Sequence, residues 1–260
     1  MSKKKVDTIS ASQVGKFLFC PLYYKYIYVD GASSGPGNEY TSFGKAIHSA
    51  LELNYKQKIT TRKDLGIAEV TNEYKQKFLE ELEKSSVWNP GSLENLAEQG
   101  EELIYQYMKK IAPTVQPTMV EHEFKIPLKS GAIIHGFIDL VTEDCEVIDH
   151  KTASGTTKNT WTQKAVQDNT QFKMYALAFR KMFNKAEKCV GADVLVRGDK
   201  AEFKRLRAVV PDIDVLSLVQ LIEAIERCVH EDFWYPNLNN CSACELNKTC
   251  PKLAKMPKRN

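Results

Sequence analysis

Gly136-Phe137-Ile138-Asp139-Leu140-Val141 and Val147-Ile148-Asp149-His150-Lys151-Thr152 each set an acid inside an otherwise apolar, β-branched run. An unpaired carboxylate buried among such neighbours costs on the order of several kcal/mol, so each acid needs a partner. The turn between the runs centres near Asp144, and Asp139 and Asp149 lie equally far from it. A hairpin closing symmetrically sets the two acids face to face, roughly 5 Å apart. Like charges that close repel, and a divalent cation between them removes the repulsion. Lys151 follows Asp149 by two residues and projects from the same strand face. An ammonium beside a cation-bound carboxylate pair suits phosphodiester hydrolysis: it orients or helps deprotonate the attacking water and screens charge on the phosphate. The competing arrangement, a hairpin whose acids form surface salt bridges, conflicts with the apolar flanks.

Other residues of chemical interest lie further from this pair. His48 follows Gly44 by one helical turn and shares its face, although a lone histidine on an amphipathic helix ordinarily packs or solvates. Gln171 and Tyr175 also share a helix face, from which both reach a lysine or a phosphate. Glu121 or Glu123, on a strand preceding the acid pair, offers a further carboxylate. Cys241-x2-Cys244-x5-Cys250-Pro251 is a tight thiolate cluster, which in a reducing compartment points to metal. Three thiolates leave a tetrahedral site one ligand short, and Cys20, followed by Pro21, or Cys228 completes it. Structural Zn²⁺ fits such a set. Cys145, Cys189 and Cys228 otherwise read as ordinary buried cysteines.

In this order the motifs resemble the PD-(D/E)XK nuclease superfamily. Asp139-x9-Asp149-x-Lys151 is similar to its signature, with Asp in the D/E position. Gly44-x3-His48 resembles the G-x-x-x-H motif of the RecB-like branch, and Gln171-x3-Tyr175 its Q-x-x-x-Y motif. The resemblance implies that His48, Asp139, Asp149 and the backbone carbonyl of His150 hold Mg²⁺ or Mn²⁺, with Lys151, Gln171 and Tyr175 completing the catalytic set. His150, between the acid and the lysine, departs from the usual pattern. One Cys-Pro upstream of the histidine and three cysteines near the C-terminus resemble the iron–sulfur members of that branch, such as exonuclease V, the AddB nuclease domain and the CRISPR-associated spacer-acquisition nuclease. That likeness implies a [4Fe-4S] cluster on Cys20, Cys241, Cys244 and Cys250.

The elements that must position these residues follow from periodicity. Helices are predicted over Ser10–Tyr28 (capped by Ser10 and interrupted at Cys20-Pro21), from about Ser42 to Gln57, near Asp64–Lys84 and over Leu93–Ile111. Gly31–Asn38 reads as a loop. Strands are predicted at Met119–Leu128, Ala132–Val141 and Glu146–Thr152, a helix near Gln163–Phe183, strands at Gly191–Arg197 and Phe203–Val210, and a helix from Asp212 to Asp232. The expected fold is α/β and restriction-endonuclease-like: a central mixed sheet flanked by helices, with an iron–sulfur staple joining the terminal regions. One nuclease domain over 1–260 is expected, with a helical insertion at about 58–116 and cluster elements at 20 and 241–250.

The bulk numbers narrow the function without choosing it. A chain of 260 residues that is 43% hydrophobic and 27% charged buries a core without disulfides. A net charge of +3 permits a polyanionic partner without demanding one, and the basic Lys3–Lys5 run and the Lys255, Lys258, Arg259 tail read as solvated termini. No apolar run approaches the ~18 residues of a membrane span, and no apolar stretch follows the basic start as in a secretory signal. The expected setting is therefore cytoplasmic and reducing, the host's cytoplasm for a phage protein. No Walker-type phosphate loop occurs, so any unwinding falls to a helicase or recombination partner. Tyr23, Tyr24, Tyr26 and Trp161 are candidates for stacking on unpaired bases, with core packing the stronger expectation for each. The function expected first is a stand-alone exonuclease on single-stranded DNA ends, in repair, recombination or phage DNA metabolism. A spacer-trimming CRISPR-associated nuclease stands second, and a non-catalytic DNA-binding or assembly subunit third.

Overall fold

The computed structural model of the protein describes residues 8–32, 37–85, 89–247 and 250. The basic termini, Pro251 and residues 33–36 of the expected loop lie outside the described residues. Among those described, six strands form one open mixed sheet: β1 (Thr8–Ile9), β2 (Pro117–Pro127), β3 (Ile133–Thr142), β4 (Glu146–Ser154), β5 (Cys189–Arg197) and β6 (Glu202–Ala208). Their order is β1-β3-β4-β5-β6, with β2 also pairing β3. The β3/β4 and β5/β6 pairs are antiparallel, while β1/β3 and β4/β5 are parallel. Parallel β4 and β5 need a crossover, which α6 (Gln163–Asp168) and α7 (Thr170–Phe183) supply. Eight of the nine residues of β5 are buried, which accounts for its apolar reading Val190-Gly191-Ala192-Asp193-Val194-Leu195-Val196. The fold expected from the element order is the one observed.

The remaining helices are α1 (Ala11–Phe19), α2 (Pro21–Tyr24), α3 (Glu39–Thr61), α4 (Ile67–Glu83), α5 (Pro90–Lys110) and α8 (Asp212–Glu231). Two predicted helices break in the structure. Ser10 caps α1 in a reciprocal capping box with Gln13, but the Cys20-Pro21 step ends that helix, and a π turn over Lys25–Val29 replaces the expected continuation. Asn169 interrupts the expected Gln163–Phe183 helix, because its side chain accepts from the Gln171 amide and caps a new one. The two-residue β1 is too short to show a period.

The chain divides into two compact units. One comprises Met1–Ser34, Lys125–Gly136 and Leu216–Asn260. In it the Leu22 amide donates to the Tyr235 carbonyl at 3.2 Å, Asn240 Nδ2 donates to the Phe19 carbonyl at 2.7 Å, and Tyr24 stacks on Trp234. The other comprises Gly35–Phe124 and Phe137–Val215. Its core joins the apolar stripes of α3 (Phe43, Ile47, Leu51), α4 (Val70, Tyr74, Phe78) and α5 (Leu103, Ile104, Tyr107) to Leu140, Ile148 and Leu195 of the sheet. Each large side chain buried there contributes roughly 1.5–3 kcal/mol, so these charge-rich helices belong to the core and are not merely solvated. Among the described residues no helix is long and apolar enough to cross a membrane.

Candidate active site

Strand β3 pairs with β4 through Leu140↔Ile148 and Val141↔Val147, a register that one step further sets Asp139 opposite Asp149. Both acids are nearly sealed from solvent, at 9% and 1% exposure. Asp149 is held on both oxygens: Oδ1 accepts from Gln171 Nε2 at 2.8 Å and from the Tyr175 hydroxyl at 3.0 Å, while Oδ2 lies 2.6 Å from Lys151 Nζ. Lys151 in turn donates to Gln171 Oε1 at 2.9 Å. The period of two along β4 puts Asp149 and Lys151 on one face, and the i,i+4 spacing on α7 stacks Gln171 under Tyr175. Four residues from two elements thus close one hydrogen-bonded ring.

A second group meets Asp139. Its Oδ2 accepts the His150 backbone N–H at 2.9 Å and lies 3.3 Å from His48 Nδ1. Asn38 caps α3, and Gly44 faces β4, where an added Cβ would meet Thr152 Oγ1 at an ordinary contact distance of 3.4 Å. The same face of α3 brings His48, one turn later, to Asp139. Glu121 arrives from β2. Ordinary strand alternation would give Glu121 and Glu123 the same face, but Glu121 has a left-handed backbone, φ 48°. For a side-chain-bearing residue that conformation costs roughly 1–3 kcal/mol, and it breaks the alternation. Glu121 joins His48 and Asp139, their ligand atoms all within 4.8 Å of one another, whereas Glu123 is exposed.

Burial sets the electrostatics. It raises the Asp139 carboxyl well above the usual range, with Asp149 adding to the rise against the His150 N–H. It raises Glu121, helped by Glu52, and lowers His48. The Tyr175 hydroxyl is pushed far up by burial and by Asp149. The site without a cation therefore favours a protonated Asp139 and a neutral imidazole. A divalent cation supplies the positive charge that burial withholds, and neutral imidazole is its ligand form. The His48, Glu121 and Asp139 donor set fits a divalent metal.

The signature match spans residues 8–251. The chain belongs to the PD-(D/E)XK nuclease superfamily. It is a nuclease, of a superfamily that hydrolyses phosphodiester bonds with divalent metal. Among solved structures, a Eubacterium rectale protein described as a "putative exonuclease" is 13% identical, with 98% of this chain and 90% of that one covered and a TM-score of 0.60. SSO0001 is also 13% identical, with 94% and 97% covered and a TM-score of 0.37. The first likeness is one of fold. No curated protein sequence matches the chain.

His150 proves to have a second environment. Its side chain is buried, stacks on Tyr55 at 5.8 Å and lies 3.1 Å from the Tyr107 hydroxyl, and burial followed by His48 lowers it to about 3. Any part it takes in the cation's shell falls to its carbonyl oxygen. Tyr23 and Tyr24, expected as base-stacking candidates, are instead buried against Phe19, Phe17 and Trp234 and cannot stack on bases. Tyr26 and Trp161 are half-buried.

Cys20, Cys241, Cys244 and Cys250 line one cavity with Leu22 and Tyr26, and Cys228 is not among its residues. Burial and the three neighbouring cysteines raise the Cys241 thiol. Among the described residues the cysteines do not converge as a mononuclear ligand group, a condition met only by His48, Glu121 and Asp139. All described cysteines are free; only Cys189 is buried, while Cys145 and Cys228, expected to be buried, are half-exposed.

Proposed function

We propose that this nuclease is a Mg²⁺- or Mn²⁺-dependent deoxyribonuclease of the RecB-like branch, an exonuclease working on single-stranded DNA ends in repair, recombination or phage DNA metabolism. The observation that carries this reading is the ring of Asp149, Lys151, Gln171 and Tyr175 beside the cation-ready group at Asp139. In this reading His48, Asp139, Asp149 and the His150 carbonyl hold the cation, with Glu121 as a further ligand, within one nuclease domain over 1–260 that carries a helical insertion at about 58–116. When bound, the cation supplies Lewis acidity toward the phosphodiester. Lys151 orients the attacking water and donates to the phosphate oxygens, while Gln171 and Tyr175 fix Asp149 and hold Lys151 in place. A helicase or recombination protein would supply single-stranded ends, in the cytoplasm.

In this reading Cys20, Cys241, Cys244 and Cys250, which line one cavity, would hold a [4Fe-4S] cluster, and structural zinc is the alternative for the same four thiolates.

The test is cleavage of end-labelled linear and circular single-stranded DNA with Mg²⁺, Mn²⁺ or chelator. Wild type should degrade the linear strand with either metal and spare the circle; Lys151→Ala should lose a hundredfold or more. Lys151→Ala cleaving as fast as wild type overturns the proposed mechanism, and cleavage of the circle overturns the exonuclease assignment. Broad absorbance near ~400 nm after anaerobic purification would support iron–sulfur, and its absence beside stoichiometric zinc would reject it.

A further inference from the structure

Arg197 ends β5 opposite Ser154, three register steps (about 10 Å) along the sheet from Lys151 and therefore on the other face, the one that meets Phe43 of α3. Its guanidinium lies over the Tyr40 ring at 4.8 Å and the Phe43 ring at 5.9 Å. A cation–π contact of this kind uses the charge of the guanidinium and consumes none of its N–H donors. Among the described residues, Arg197 pairs with no carboxylate and donates to no acceptor, although it is half-buried. The other two arginines at the β5/β6 end of the sheet differ: Arg205 and Arg207 both face Asp193. Tyr40 stays 48% exposed on the first turn of α3, and with Gly44 and His48 it forms one i,i+4,i+8 stripe. That stripe measures about 12 Å from ring to imidazole position.

We infer that Tyr40 and Arg197 grip the substrate strand a few nucleotides from the bond being cut, Arg197 on a backbone phosphate and Tyr40 against a base. The inference rests on the nuclease reading above and adds a place for the strand beyond the reacting phosphate. A fork of N–H donors on a guanidinium placed over an aromatic ring matches a phosphodiester, which offers two acceptors and a charge. An exposed tyrosine accepts any base on its ring, so the grip is indifferent to sequence.

The test measures binding of a labelled DNA strand of about 16 nucleotides by fluorescence anisotropy in chelator, across a salt series. Thermal melting of each variant checks its folding. Arg197→Ala should weaken binding about tenfold and lower the slope of log K against log salt by about 0.7, the loss of one phosphate contact. Tyr40→Ala should weaken binding by a similar factor with the slope unchanged. Arg197→Lys should keep the slope and lose part of the affinity, which carries the test if Arg197→Ala does not fold. Folded variants that bind like wild type, with wild-type slopes, overturn this inference alone. A wild type that neither binds nor cleaves DNA overturns it together with the function proposed above.

Discussion

Asp139 is in electrostatic conflict with its surroundings, since burial and Asp149 both oppose its charge. A carboxyl raised in the folded protein holds its proton to higher pH than in the unfolded chain. Its contribution to stability is thus present at low pH and lost as pH rises through the raised value. In chelator, melting temperature should fall as pH climbs above the ordinary aspartate range. Added Mn²⁺ should restore it, with a larger upward shift at pH 8 than at pH 5, because binding displaces the proton. Equal Mn²⁺ shifts at both pH values would contradict Asp139 as a ligand. Glu121 allows an independent check. Glu121→Gly places a residue indifferent to positive φ at that position, so melting temperature should hold or rise while Mn²⁺ affinity falls, read by calorimetry. Unchanged affinity would leave Glu121 without a ligand role. Asp139, Asp149 and Lys151 were legible in the sequence because strands alternate and a symmetric hairpin fixes who faces whom. Glu121 was legible only as one of two choices, since a single left-handed residue cancels the alternation that would have coupled it to Glu123. The buried side chain of His150 was not legible, because its partners Tyr55 and Tyr107 come from helices far along the chain.

Helices place these residues, and two glycines show how closely. Gly100 sits inside α5, where alanine would ordinarily be better by about 1 kcal/mol. A Cβ there would lie 2.1 Å from the ring of Tyr74, which is fully buried. Overpacking of that kind costs roughly 1–3 kcal/mol, so Gly100→Ala should destabilise the protein despite its better propensity, as chemical denaturation would show. A more stable Gly100→Ala protein would mean that Tyr74 has room to turn. Gly44 lies against Thr152 more gently, at 3.4 Å, so alanine should be tolerated. Leucine should push α3 from β4 and take His48 from Asp139, lowering Mn²⁺ affinity with little loss of helix content by circular dichroism. The helical period made α3, α4, α5 and α8 readable to within a few residues. The breaks at Cys20 and Asn169 were harder, for each depends on a local cap or proline that competes with a period continuing through it. That α4 and α5 share the core with Leu140, Ile148 and Leu195 had no sequence signature, since an amphipathic stripe does not say what it packs against.

Across the whole chain, the spacing of the cysteines pointed to the first helices and the tail sharing one site. Contacts such as the Leu22 amide with the Tyr235 carbonyl have no periodicity to betray them, whereas thiols spaced for metal do. If the [4Fe-4S] cluster proposed above sits in the cavity that Cys20, Cys241, Cys244 and Cys250 line, it becomes a determinant of local stability within that unit. Removing one ligand should therefore act on both segments at once. Cys241→Ala should abolish absorbance near ~400 nm and speed hydrogen exchange at the amides of Leu22, Tyr23 and Tyr24, although none of these residues is altered. Cys228→Ala, outside the cavity, should leave both the absorbance and the exchange as in wild type. If Cys241→Ala loses the chromophore but exchange at Leu22 is unmoved, then Asn240, Tyr235 and the Tyr24–Trp234 stack hold the segments without help. The cluster would then have to be explained by chemistry other than fastening.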